Sequence, residues 1–176
     1  MRVATPLVLL LCCLALVACG ERAPADETAA TPTETPTAAA GGGTTALGSI
    51  STDLSKKPAI PKPSGNPPAQ LQTQDVVTGK GPAAKAGDTV QMQYVGTAWS
   101  DGKQFDASWD RGQPFTFQLG SGNVIGGWDK GIVGMRQGGR RLLVIPPDLG
   151  YGAAGAGGTI KPNETLVFVV DLEKIQ

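Results

Sequence analysis

The stretch "VIGGWDKGI", Val124 to Ile132, sets Trp128 among Gly126, Gly127 and Gly131. Glycine costs a helix interior about 0.5–1 kcal/mol relative to alanine. A short helix here, over Ile125 to Val133, therefore needs a reason for its glycines: a sheet packed close, or a molecule resting on the ring. The flanking sequence alternates with period two. "TVQMQYVGTA", Thr89 to Ala98, puts Val90, Met92 and Tyr94 on one face and Gln91 and Gln93 on the other. "PFTFQL" aligns Phe115, Phe117 and Leu119, and "TLVFVVDLEKI" aligns Leu166, Phe168, Val170 and Leu172. "RRLLVIP", Arg140 to Pro146, reads as a further apolar strand. This pattern predicts an antiparallel sheet with one buried and one wet face. One short helix covering the apolar face gives an α+β domain, with Trp128 turned toward the sheet.

Composition removes whole classes of chemistry. The 176 residues carry zero formal net charge, which gives no reason to expect nucleic acid as a partner. There is no histidine, so a Ser-His-Asp triad, a Cys-His dyad and a His-ligated metal are all impossible. The three cysteines, Cys12, Cys13 and Cys19, all lie at the N-terminus, so nothing downstream forms a disulfide or a thiolate nucleophile.

Residues 1–18 read as a signal peptide. Arg2 is a minimal positive region, and Pro6 to Val17 is an apolar run too short for a transmembrane helix. Leu16 is too large for an ordinary cleavage site, and "LVAC", Leu16 to Cys19, resembles the bacterial lipobox. That resemblance makes Cys19 the lipidated first residue of the mature chain, anchored in the cell envelope and facing the periplasm. Gly20 stands where an aspartate is associated with inner-membrane retention, which favours the outer membrane. Residues 19–68, rich in Ala, Thr, Pro and Gly, read as a disordered tether, because they carry too little apolar surface to offset their ordering entropy. The folded part is then residues 69–176, an ordinary size for one domain.

Some motifs suggest chemistry but lack its context. "GKGPAA", Gly79 to Ala84, has the letters of a dinucleotide loop without a following helix or any βαβ alternation. Asp101, Asp106 and Asp110 lack the spacing of an EF-hand loop. No metal or other cofactor is expected.

From about Leu71 to Gln176, the motifs "VQMQYVGTAWSDGKQFDAS", "QPFTFQLGSGNVIGGWDKGIVGM", "PPDLGYG" and "ETLVFVVDLEKI" resemble, in order and spacing, the FKBP-type peptidyl-prolyl cis-trans isomerases. The resemblance implies a five- or six-stranded antiparallel sheet wrapped around one short helix. It makes Tyr94, Phe115, Val124, Ile125, Ile160 and Phe168 substrate-binding residues, with the Ile125 N–H a donor to substrate. Phe105, Asp106, Trp128 and Tyr151 become the catalytic set: a wall, a carboxylate, the floor under the proline ring, and a hydroxyl for a ligand carbonyl. Ala156 stands where many family members carry histidine, which bears on substrate preference. The short flap has no room for the inserted chaperone domain of one family branch.

The implied reaction rotates an Xaa-Pro amide in exported or envelope polypeptides, past a barrier of ~18–20 kcal/mol, and needs no nucleophile or metal. A twisted amide loses charge separation, so an apolar, water-poor pocket favours it. Implied partners are proline-containing polypeptides and, as inhibitors, rapamycin-type macrolides. The membrane is met only through the lipid anchor, and the domain is most simply a monomer. The alternative is a binding or chaperone module that holds proline segments without turnover.

Overall fold

The computed structural model describes residues 47–176. The signal peptide, Cys19 and residues 19–46 of the expected tether lie outside the described residues. No helix among the described residues is long and apolar enough to cross a membrane.

Six antiparallel strands make one sheet: β1 (Gln72–Val77), β2 (Thr89–Ala98), β3 (Gln104–Ala107), β4 (Phe115–Gln118), β5 (Gly139–Ile145) and β6 (Leu166–Ile175). Their order is β1-β5-β6-β2-β3, with β4 also paired to β2. Strand β2 decides the shape. One side of it pairs with β6 along its whole length, from Val90 opposite Ile175 to Ala98 opposite Leu166. Its other side is shared: Thr89–Met92 pair with β4, and Val95–Thr97 pair with β3. Between these two pairings the chain makes a 3-10 turn, Ser108–Arg111. There the Ser108 hydroxyl accepts the Tyr94 N–H at 2.8 Å and donates to Gln93 Oε1 at 2.5 Å. A buried hydroxyl thus satisfies the backbone donor that neither strand pairs.

The alternation read from the sequence sets the inner face. Val90, Met92, Tyr94, Phe117, Leu166, Phe168, Val170 and Leu172 are buried in one cluster with Trp128. The helix α1 runs Gly126–Gly131, shorter than the predicted Ile125 to Val133, with Ile125 as its extended N-cap residue. Its glycines answer the opening question. A Cβ on Gly127 would lie 2.4 Å from Ile145 Cγ2, and one on Gly131 would lie 2.9 Å from Leu143 Cδ2. Strand β5 therefore comes as close as the helix backbone allows, and Trp128 fills the hollow beside it.

The outer face departs from the sequence reading: it is not wet. Leu142, Val144, Val167, Val169 and Trp99 form a second buried cluster, against which Leu47, Ile50 and Ile60 pack. Residues 47–68, read as part of a tether, lie along this face. Strands β5 and β6 offer apolar residues on both faces, so covering the outer one removes additional surface from water.

Two bland readings gain positions. A Cβ on Gly79 would lie 2.3 Å from the Gln137 carbonyl oxygen, so "GKG" is a close backbone contact. Asp101 accepts the Lys103 N–H at 3.0 Å in a turn, and Asp110 accepts from Gln104 Nε2 at 2.7 Å.

Candidate active site

A cleft of about 300 Å3 opens beside the inner face of the sheet, at the gap between the β3 and β4 pairings of β2 where Tyr94 sits. Nine of the ten residues singled out by sequence line it: Tyr94, Phe105, Asp106, Phe115, Val124, Ile125, Trp128, Tyr151 and Phe168. Asn123 lines it too and was not anticipated. Ile160, expected to close the pocket, is buried in the main core cluster, as are Tyr94, Trp128 and Phe168, but unlike them it does not line the cleft. It bridges to Ala156, which holds the flap in an antiparallel turn.

The walls are aromatic and steeply inclined to one another. Trp128 lies edge-to-face with Tyr94 at 5.0 Å and 79°, and with Phe168 at 5.2 Å and 81°. Phe105 meets Phe168 at 5.4 Å and 84°. Such edge-to-face pairs add about 0.5–1.5 kcal/mol beyond their buried area, so the rings hold one another rigid. Gly96 makes the Phe105–Phe168 pair possible: a Cβ there would lie 2.6 Å from Phe168 and 2.7 Å from Phe105. Trp128 is buried, and its indole N–H has no partner among the described residues. The rim is different: Phe115 and Tyr151 are 37% and 40% exposed, an apolar edge that a ligand would cover.

One polar network interrupts these walls. The Tyr94 hydroxyl donates to Asp106 Oδ2 at 2.5 Å. Arg111 donates from Nη1 to Asp106 Oδ1 at 2.5 Å and from Nη2 to the Tyr94 oxygen at 2.7 Å. Both carboxylate oxygens are therefore engaged. Arg111 was not anticipated; its only sequence signal is its place five residues after Asp106, at the end of the turn whose Ser108 anchors Tyr94. Partial burial pushes the Asp106 carboxyl up, but the bonds from Tyr94 and Arg111 and the guanidinium charge outweigh it and hold the group below its ordinary value. Burial first, then the bond to Asp106, pushes the Tyr94 phenol up to about 12, against the opposing pull of Arg111. At neutral pH the site holds an ionised Asp106 and a protonated Tyr94.

Asp129, on the solvent side of α1, is a second unanticipated organiser. Its carboxylate accepts the Gly120 N–H at 2.8 Å and the Gly122 N–H at 3.0 Å. This ties to the helix the loop that delivers Asn123 and Val124. Ile125 then turns that loop into α1, its carbonyl accepting the Trp128 N–H at 2.9 Å. No group of three or more metal-ligating side chains occurs among the described residues.

The family model for FKBP-type peptidyl-prolyl cis-trans isomerases matches residues 81–173. An FK506-binding protein of Streptomyces anulatus is 57% identical over 118 residues, covering 66% of this chain and 95% of the relative. An FK506-binding protein of Neisseria meningitidis serogroup A is 48% identical over 106 residues, covering 60% of this chain and 95% of the relative. Among solved structures, that of AtFKBP13 aligns with a TM-score of 0.57 at 40% identity, covering 62% of this chain and 96% of that one. FkpA from Escherichia coli aligns with a TM-score of 0.56 at 47% identity, over 60% of this chain and 48% of that one.

Proposed function

The chain belongs to the family of FKBP-type peptidyl-prolyl cis-trans isomerases, and we propose that its cleft rotates Xaa-Pro bonds by favouring a twisted amide without covalent chemistry. The observation that carries this reading is the joining of a rigid aromatic cavity to one fixed carboxylate. An amide twisted out of plane loses the resonance and charge separation that water stabilises. A site walled by Phe105, Trp128 and Phe168 offers little polar solvation to the planar form and a flat floor to the proline ring. A 10⁵-fold acceleration needs about 7 kcal/mol of such preference.

Asp106 acts in this reading as a fixed charge. With both oxygens bonded and its carboxyl held below the ordinary value, it carries no proton to give near neutral pH. Its fixed charge positions the twisted amide, and no proton is transferred. Tyr151 at the rim and the Ile125 backbone receive the flanking peptide. The same cavity would take a rapamycin-type macrolide, in keeping with the FK506-binding names of the relatives. We further propose substrates among exported polypeptides, met by a monomeric domain tethered through lipidated Cys19 to the periplasmic side of the outer membrane; the lipobox-like "LVAC" supports that placement.

The test is cis-to-trans exchange of a short Leu-Pro peptide, measured by NMR without a coupled protease. The fragment used spans the described residues, 47–176. Acceleration that rapamycin blocks, and that Trp128→Ala and Asp106→Ala weaken, is the expected result. A folded protein that binds the macrolide without accelerating exchange would make the cleft a binding module instead.

A further inference from the structure

The outer face of the sheet has more built into it than apolar cover. Arg140 is wholly buried there, its Nε and Nη2 donating to the two oxygens of Asp171 at 2.5 and 2.7 Å. Its remaining donor capacity goes to backbone carbonyls of residues 47–68: Nη1 to Ser51 at 2.7 Å and Nη2 to Lys56 at 3.1 Å. Nine residues after Lys56 the same segment meets a different anchor. The Trp99 indole N–H donates to the Gly65 carbonyl at 3.3 Å. Between these points Pro58 and Pro63 are buried while Lys57 and Lys62 face outward. Lys57 reaches Asp110 Oδ1 at 2.5 Å. Side chains of the sheet thus read carbonyls of an irregular, proline-bearing strand, and buried prolines and aliphatics give it grip. An aromatic N–H on a carbonyl beside buried prolines is how extended proline segments are held in grooves.

We propose that the outer sheet face is a peptide-binding groove whose ligand is the chain's own segment, anchored from Ser51 to Gly65, so that this stretch folds as part of the domain. The segment leads directly into β1 at Gln72, so docking is intramolecular, at an effective concentration in the millimolar range for such short connections. The groove lies on the face opposite the aromatic cleft, so an occupied groove leaves the cleft open. The family model begins at residue 81, so the strap lies outside its matched residues. The proposal is independent of turnover in the cleft.

Hydrogen exchange on the full chain tests it, read segment by segment over residues 50–66. Exchange there at least tenfold slower than in a synthetic peptide of residues 47–68 is expected. Ile50→Asp with Ile60→Asp should return the segment to free-peptide rates and lower the melting temperature. The labelled 47–68 peptide should then bind this variant and leave the wild type alone. Free-peptide exchange rates in the unaltered chain would overturn the proposal without any variant. So would a wild-type dimer in sedimentation with the segment unprotected, since a second copy would then hold the groove. Macrolide binding, measured in parallel, reports the cleft separately.

Discussion

At the scale of single residues, the site depends on who holds Asp106. Arg111 engages one of its oxygens and also the hydroxyl that engages the other. A hydrogen bond to a charged group contributes about 1.5–3 kcal/mol when dry. Arg111 is 49% exposed in its side chain, so solvent reduces that share. Arg111→Leu should therefore lower kcat/KM by roughly 3- to 10-fold, and should raise the pKa of Asp106 seen by carboxyl NMR. An unchanged Asp106 titration would show that Tyr94 alone fixes it. The ultraviolet phenolate signal should contain a late step near pH 12 from Tyr94, absent in Tyr94→Phe. The sign for stability follows. The folded value lies above the ordinary 10, so the folded state keeps a proton that the unfolded state loses. Stability is unaffected below about pH 10 and falls across the window from 10 to about 12. Asp106 runs the other way. Its folded value is lowered, so its contribution holds above the ordinary carboxylate range and is lost only as pH falls through that depressed value. Activity should therefore be flat from neutral pH down to about 4.

At the scale of elements, α1 carries its argument in its glycines. Gly127→Ala would gain about 1 kcal/mol in helix propensity. Its new Cβ would meet Ile145 Cγ2 at 2.4 Å, in a strand buried on both sides. Overpacking of that kind costs about 1–3 kcal/mol, so the variant should be destabilised despite being a better helix former. A chemical melt with unchanged slope would measure the difference; a gain in stability would mean that β5 yields where the packing says it cannot. The inner face was legible from the sequence because period-two alternation in β2 and β6 maps directly onto burial. The outer face was misread although its signal was present. "LLVI" in β5 and "LVFVV" in β6 do not alternate, and continuous apolar runs belong to strands covered on both faces. The cover itself was hard to read: Leu47, Ile50 and Ile60 are too sparse to show a period, and they sit in a composition that suggests disorder. In the site, the aromatic residues stood out through their order along the chain. Arg111 and Asp129 did not, because a lone charge, on a 3-10 turn or on α1, gives no hint of its partner until the fold brings the two together.

At the scale of the whole molecule, the two faces of the sheet solve different problems. The inner face leaves an aromatic hollow open, and the outer face buries an ion pair. The arginine and aspartate of that pair have side chains 0% and 8% exposed. Burial pushes the Asp171 carboxyl up, against the opposing effect of Arg140. Such a pair is weak evidence for stability as a whole, yet breaking it from one side leaves a charge with no water and no partner. Arg140→Met keeps the volume and apolar stem but removes every donor to Asp171, Ser51 and Lys56. The loss at neutral pH should be about 3–5 kcal/mol. Its pH dependence identifies the cause. Without Arg140, Asp171 must take a proton to remain buried, so its folded value rises further above the unfolded one. A raised carboxyl value makes the folded state the better proton binder, so stability falls as pH climbs from about 4 toward that value. The deficit of Arg140→Met should therefore be smallest near pH 4 and grow toward neutrality. Arg140→Met combined with Asp171→Leu should recover most of the loss at pH 7 and flatten the curve. A deficit that is the same at every pH, and that the second substitution does not relieve, would put the cost in the lost carbonyl contacts with residues 51 and 56 instead of the orphaned charge.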